Sequence, residues 1–220
     1  MAASVSDQNT IDHPVGESSP GGFVYLDIDF SEYLGIARDM DSIMRAHDPY
    51  TAKHQRRVAI LASDIGREYG LGELRRTTLR IAGMIHDLGK VAISPDLLNR
   101  TGFLTPMSMA TLRRHAKDGS EMATELGFPQ PVLLSVHQHH ERLDGSGYPN
   151  GLVGDQISLE ARILAVADVV DAMAFTRPYR PAKGVDAALA EVQRCGGALF
   201  DAEVVRCCVQ VMSKRRSEGR

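Results

Sequence analysis

The stretch LEARILAVADVVDAMA, residues 159–174, constrains the fold more than any other part of the chain. Written on a helix it is apolar almost all round, so it has no side to turn toward water. Such a helix lies at the centre of a core and needs other helices around it. Asp168 sits in its middle, flanked by Val166, Ala167, Val169 and Val170. An ionised carboxylate buried without a partner costs several kcal/mol or takes up a proton. Something positive must therefore meet Asp168. An arginine from another helix and a metal ion both satisfy that need, and Asp168 alone does not choose between them.

The segments around it read as helices too. Asp48-Pro49, Ser94-Pro95 and Thr105-Pro106 each place a capping side chain before a proline at the first helical position. Gln130-Pro131 is a weaker case, and Ser158 caps the helix that begins near Leu159. In TAKHQRRVAILASDIGREY the residues Val58, Leu61, Ala62, Ile65 and Tyr69 form a helical stripe. In LRRTTLRIAGMIHDLG, Leu74, Thr78, Ile81, Ala82 and Ile85 share a face, and Gly89 is a candidate C-terminal cap. VDAALAEVQRC and AEVVRCCVQVM read as two packing helices split by Gly196-Gly197. No alternating strand series and no internal repeat is present, so the expectation is an all-α bundle.

The 220 residues suffice for one domain with its own core. Residues 1–22 are rich in Ser, Asp, Gly and Pro and lack periodicity, which predicts a disordered tail. Residues 23–47 form an N-terminal segment whose start, FVYLDIDF, reads equally as a strand or as the lead into a helix. The main domain is expected over 48–215, with a short tail at 216–220.

A net charge of −3 argues against a nucleic acid polymer as partner but leaves room for a small anion in a local pocket. No apolar run is long enough for a membrane span, and MAASVSDQNT has no secretory pattern. Cys195, Cys207 and Cys208 lack C-x-x-C spacing and read as reduced packing thiols, so the expected location is the cytoplasm.

The histidines bear on the choice that Asp168 leaves open. His54 continues the stripe that runs on to Val58, and His86 lies one turn after Ala82 with Asp87 beside it. His115 is expected on the helix opened by Thr105-Pro106, and His139 and His140 close another. One histidine on an apolar face is ordinary core. Several of them together with a buried aspartate fit a metal site better. Neighbours on a helix diverge by about 100°, so a His-Asp or His-His pair reaches toward different ions. Imidazole and carboxylate without thiolate suit Fe, Mn, Co, Ni or Zn in an open site.

Taken in order, DPYTAKHQRRV (48–58), IHDLGK (85–90), Arg114-His115, HHERLDGSGYP (139–149), VADVVDA (166–172) and RPYR (177–180) closely resemble the HD-GYP family, a branch of the HD phosphohydrolases. The resemblance covers roughly residues 45–205 and is specific because these separated motifs keep the family's order. It implies a helical bundle of the HD phosphohydrolase type with extra C-terminal helices. It implies a phosphodiesterase that opens cyclic di-GMP to pGpG, with a second cut to GMP in some members, by attack of a hydroxide held between metals.

Carried over by motif, the metal ligands are His54, His86, Asp87, His115, His139, His140 and Asp168, with Asp87 shared between ions. Two divalent ions are implied, Fe or Mn foremost. Some members hold a third ion through a glutamate four residues before the first ligand histidine, where this chain has Tyr50. Lys90 would contact substrate phosphate, or be a solvated cation at a helix end. Asp171 would orient a ligand histidine or assist proton transfer, or pair structurally with Arg177 or Arg180. Those two arginines resemble phosphate-holding cations of the family. Tyr148 would pack on a guanine or staple its turn, and Gly145 and Gly147 meet backbone needs beside the pocket. Glu141 is unassigned. The GYP loop is also a docking place for a diguanylate cyclase domain in the family, and a homodimer stays open.

Two milder departures are Ala116 after His115, where proline is usual, and Ala174-Phe175-Thr176 where Thr-Ser-Asp is common. They keep two alternatives in play: a weakly catalytic module that binds cyclic di-GMP or docks on a partner, and a hydrolase of another cyclic dinucleotide.

Overall fold

The computed structural model describes residues 28–176 and 182–219. Residues 1–27, which carry the expected tail and most of FVYLDIDF, lie outside that range, as do residues 177–181 with Arg177 and Arg180. Among the described residues the chain forms ten α-helices: α1 (Phe30–His47), α2 (Pro49–Tyr69), α3 (Glu73–Ile85), α4 (Pro95–Leu98), α5 (Pro106–Arg113), α6 (His115–Glu125), α7 (Gln130–Gln138), α8 (Leu159–Ala174), α9 (Val185–Arg194) and α10 (Ala202–Ser217). There is no β-strand among them, only the isolated bridges Asp144–Val153 and Gly196–Phe200. The all-α expectation holds.

The capping residues do what the sequence predicts. Asp48 accepts from the Tyr50 and Thr51 amides, Ser94 from Leu97, Thr105 from Ser108 and Ser158 from Ala161. Each satisfies amides that the first turn leaves without a partner. α7 starts at Gln130 after Pro129 without a side-chain cap, the weaker case anticipated.

α8 is the central helix. Ile163, Leu164, Val166 and Ala167 are fully buried, and α2, α3, α7, α9 and α10 pack around it. Burial of each Ile, Leu or Val stabilises the fold by about 1.5–3 kcal/mol. Cys195, Cys207 and Cys208 are buried free thiols that line the same core. No described helix is long and apolar enough to cross a membrane.

Three local expectations are corrected. Gly89 is not a helix cap: α3 stops at Ile85, and Gly89 lies in a 3-10 turn, Leu88–Ala92. A Cβ on Gly89 would fall 2.2 Å from the His115 carbonyl oxygen and 2.6 Å from the Gly119 amide. This glycine therefore permits the close approach of α6 rather than a left-handed turn. His115 does not ride on the helix opened by Thr105-Pro106; that helix ends at Arg113, and His115 begins α6. Its Nδ1 takes the Leu112 carbonyl at 2.7 Å, competing with the amide that would continue an unbroken helix. Leu74 is 43% exposed in the first turn of α3, whereas Thr78, Ile81, Ala82 and Ile85 are buried as predicted.

Candidate metal centre

Five separate elements bring the motif residues together. His54 comes from α2, His86 and Asp87 from the end of α3, His115 from the start of α6, His139 and His140 from the end of α7, and Asp168 from α8. Two close backbone contacts set the spacing. A Cβ on Gly83 would lie 2.4 Å from Ala59 Cα, so α2 and α3 touch along their backbones. The rings of His54 and His86 consequently sit 5.3 Å apart. Gly89 does the same for α6, which brings His115 Nε2 to 3.3 Å from Asp87 Oδ1.

The candidate ligand atoms form two groups. In one, single atoms of His54, His86 and Asp87 lie within 4.8 Å of one another, and Asp168 Oδ1 joins them 3.0 Å from His54 Nε2 and 3.9 Å from His86 Nε2. In the other, His115, His139 and His140 converge, with His115 Nε2 3.4 Å from His139 Nε2 and 3.1 Å from His140 Nε2. Asp87 stands between them. Its Oδ2 faces His86 Nε2 at 3.5 Å and His54 Nε2 at 3.9 Å, while its Oδ1 faces His115. One carboxylate thus serves both groups.

Whether this set fits metal ions can be tested on the tautomers. Nδ1 of His86, His115 and His139 bonds the carbonyls of Gly83, Leu112 and Val136 at 2.9, 2.7 and 2.6 Å. A carbonyl only accepts, so Nδ1 carries the proton and each neutral ring turns its Nε2 lone pair inward. Burial lowers the pKa of His86, His115 and His139, that of His139 furthest, and lowers His140 to about 3. These rings are neutral at pH 7. His115 and His139 then point lone pairs at each other, and the buried His86 Nε2 has no hydrogen-bond partner among the described residues. A bound cation answers both conditions. The residues fit a divalent metal centre of nitrogen and oxygen donors.

The acids are ionised. Burial is the largest influence on Asp87 and would raise its pKa, but Lys90 and the neighbouring imidazoles outweigh it and hold the group well below the usual range. Lys90 Nζ lies 2.6 Å from Asp87 Oδ2, so this lysine is engaged with the shared carboxylate. Asp168 shows the same balance, with the bond to His54 opposing burial.

Asp171 stands behind the candidate ligands. Its Oδ2 accepts from His54 Nδ1 at 2.6 Å, and Arg57 grips both of its oxygens at 2.6 and 2.8 Å. Burial would raise its pKa, yet the His54 and Arg57 bonds lower it. Among the described residues Arg57 is thus the cation that pairs with Asp171; Arg177 and Arg180, also expected as partners, lie outside them. The signal was there, since Arg57 follows His54 by one helical turn. Its neighbour Arg56 obscured it; that side chain turns away to Asp41 at 2.7 Å.

The HHERLDGSGYP loop folds back on itself. Asp144 Oδ1 accepts from the Ser146 amide at 2.9 Å, and Gly145 takes φ +80°. Gly147 has no room for a side chain, because a Cβ would lie 2.4 Å from Glu141 Cα. Tyr148 stacks on His140 with ring centroids 4.7 Å apart, so it staples its turn onto a candidate ligand ring. Glu141, unassigned from sequence, is buried and receives the Asn150 and Leu152 amides at 2.7 and 3.0 Å. Glu141→Gln would set an NH2 group against one of those amides. The expected cost is about 1–3 kcal/mol, read as a lower melting temperature with faster hydrogen exchange at Asn150 and Leu152. Unchanged exchange at both amides would refute this clamp.

Comparison with known proteins agrees with the geometry. An HD domain family model matches residues 39–204. The cyclic di-GMP phosphodiesterase response regulator RpfG of Xanthomonas campestris is 40% identical over 173 residues, 78% of this chain and 45% of that protein. The 3'3'-cGAMP-specific phosphodiesterase 3 of Vibrio cholerae is 36% identical over 171 residues, 78% of this chain and 37% of that protein. The chain therefore spans less than half the length of these curated relatives. Bd1817, an HDG"Y"P protein from Bdellovibrio bacteriovorus, shares the fold with a TM-score of 0.61 at 17% identity, over 73% of this chain and 51% of that one. The chain belongs to the HD domain family, within the HD-GYP branch that its ordered motifs resemble.

Proposed function

We propose that this protein is a metal-dependent phosphodiesterase that hydrolyses cyclic di-GMP to pGpG. The observation that carries the reading is Asp87, whose two oxygens face two separate sets of inward-pointing imidazoles. His54, His86 and Asp168 would hold one divalent ion, and His115, His139 and His140 the other, with Asp87 common to both. Fe and Mn are the ions proposed. When bound, such ions supply Lewis-acid charge on phosphate oxygens and lower the pKa of water from 15.7 toward about 7.

The chain's own residues prepare the site. Asp171, fixed by Arg57, accepts the His54 Nδ1 proton and so aims Nε2 at the centre, where a bound ion would replace the proton that His54 shares with Asp168. We assign Asp171 a positioning role, because its oxygens are already engaged. Tyr148 fixes the plane of His140. Lys90 adds positive charge beside Asp87, where a phosphate dianion or diester would approach. Arg177 and Arg180 are retained as proposed phosphate contacts. Docking of a diguanylate cyclase domain on the exposed Asp144, Ser146 and Asn150 side of the loop belongs to the same proposal.

Another cyclic dinucleotide is the second reading, favoured by the relative named as 3'3'-cGAMP-specific. One experiment separates them: anaerobic protein loaded with Fe or Mn, given cyclic di-GMP, 3'3'-cGAMP, cyclic di-AMP and a nucleoside triphosphate side by side. Cyclic di-GMP is expected to turn over fastest, to pGpG. Faster loss of 3'3'-cGAMP selects the second reading. Metal-loaded protein that cleaves no cyclic dinucleotide, or prefers the triphosphate, overturns both.

A further inference from the structure

A cavity of 290 Å³ opens beside the metal centre, with His54 and Asp171 in its wall. Two aromatic side chains line it. Tyr50, in the first turn of α2, is 59% exposed, and Phe175, just past α8, is 45% exposed. Both stand where this chain departs from the family pattern, and they come from elements far apart in sequence.

Aromatic surface exposed at the mouth of a cavity is surface that a ligand gains by covering. The Arg57 guanidinium, 4.2 Å from the Phe175 centroid, already takes one face of that ring and so braces it against the site. Polar groups complete the wall. Asn99 donates from Nδ2 to the Pro95 carbonyl at 2.9 Å, which fixes its amide and leaves Oδ1 as an acceptor. Lys53 contributes a cation. The volume is at the lower edge of cavities that enclose whole drug-sized ligands, so it suits one half of a dinucleotide rather than all of it.

We propose that the cavity between Tyr50 and Phe175 is the subsite for one purine base of the cyclic dinucleotide. The base stacks on an aromatic ring and presents its N–H edge to Asn99, while its phosphate reaches the metal centre past His54. The proposal rests on the phosphodiesterase reading above and adds to it where the base lies. It also gives Tyr50 a role that replaces metal ligation at this position.

The test uses the metal-loaded protein, its Tyr50→Ala and Tyr50→Phe variants, cyclic di-GMP as substrate and inorganic phosphate as a base-free competitive inhibitor. Loss of one base–aromatic stack corresponds to about a 5- to 150-fold change. Tyr50→Ala is expected to raise KM for cyclic di-GMP by that factor and to shift the phosphate inhibition constant by less than about twofold. Tyr50→Phe, which keeps the ring, is expected to restore KM to within about threefold of the unaltered protein. Tyr50 is exposed, so the variants should melt with the parent. An unchanged KM in Tyr50→Ala, or equal losses for cyclic di-GMP and phosphate, overturns the subsite alone. Unaltered protein that cleaves no cyclic dinucleotide overturns the reading of the whole centre, and the subsite with it.

Discussion

Replacing Asp87 with alanine is expected to abolish cyclic di-GMP hydrolysis and to strip the protein of metal while the helical fold survives. The carboxylate faces both imidazole sets, at 3.5 Å from His86 Nε2 and 3.3 Å from His115 Nε2. Its loss weakens two sites at once. The fall in turnover should therefore exceed about 10³-fold, the upper figure for removing a single electrostatic stabiliser. The helical fold should survive, because Asp87 lies in the turn after α3 and Lys90, the cation left without its partner, is only part-buried; the melting temperature should nevertheless fall, since one member of an ion pair is removed. Turnover, metal content by mass spectrometry and thermal melting, read on the same sample, check this. Full activity from a metal-free Asp87→Ala protein would end the assignment.

Gly89→Ala is expected to be nearly as damaging, by another route. The added methyl would strike backbone atoms, the His115 carbonyl oxygen and the Gly119 amide, and no flexible side chain can give way. Overpacking of this kind costs about 1–3 kcal/mol, and the upper end applies where backbone must move. At about 2–4 °C per kcal/mol for a chain of this size, the melting temperature should fall by about 6–12 °C. His115 is the residue pushed, so its distance to Asp87 grows. A displacement near 1 Å can cost about 10²-fold in rate. Gly35→Ala supplies the control: nothing lies within 4 Å of its Cβ position in α1, and alanine favours helix there. Equal effects of the two substitutions would show that the α6 contact does not set the site.

Much of the fold was legible because its signals are local. Asp48, Ser94, Thr105 and Ser158 cap the helices they were expected to cap, since capping needs only a side-chain oxygen within three residues of a free amide. The apolar run around Asp168 predicted a central helix, and α8 is one. The seven residues taken from the motifs do converge. Periodicity alone placed His54 and His86 on inward faces but could not say that they face each other.

The misses share a cause. Gly89 looked like a cap because glycine after a helix usually takes a left-handed turn, whereas here it answers to a backbone from a helix about thirty positions later. Arg57 was overlooked as the partner of Asp171 because the choice between two adjacent arginines depends on where α1 and α8 lie. Glu141 carried no local signal, since its partners are amides of a loop that must first close.

By itself the sequence determined which segments are helical, which helix is central, and which imidazoles and acids are available, because helix propensity, capping and burial act over a turn or two. Only the tertiary structure decided how those donors are aimed. His86, His115 and His139 sit where helices end, so each reaches the carbonyl three residues back and gives it the Nδ1 proton. That bond turns the opposite nitrogen inward, and the glycine contacts at Gly83 and Gly89 bring the three helix ends near enough to share one carboxylate. Distances between helix ends depend on packing, which no local pattern encodes.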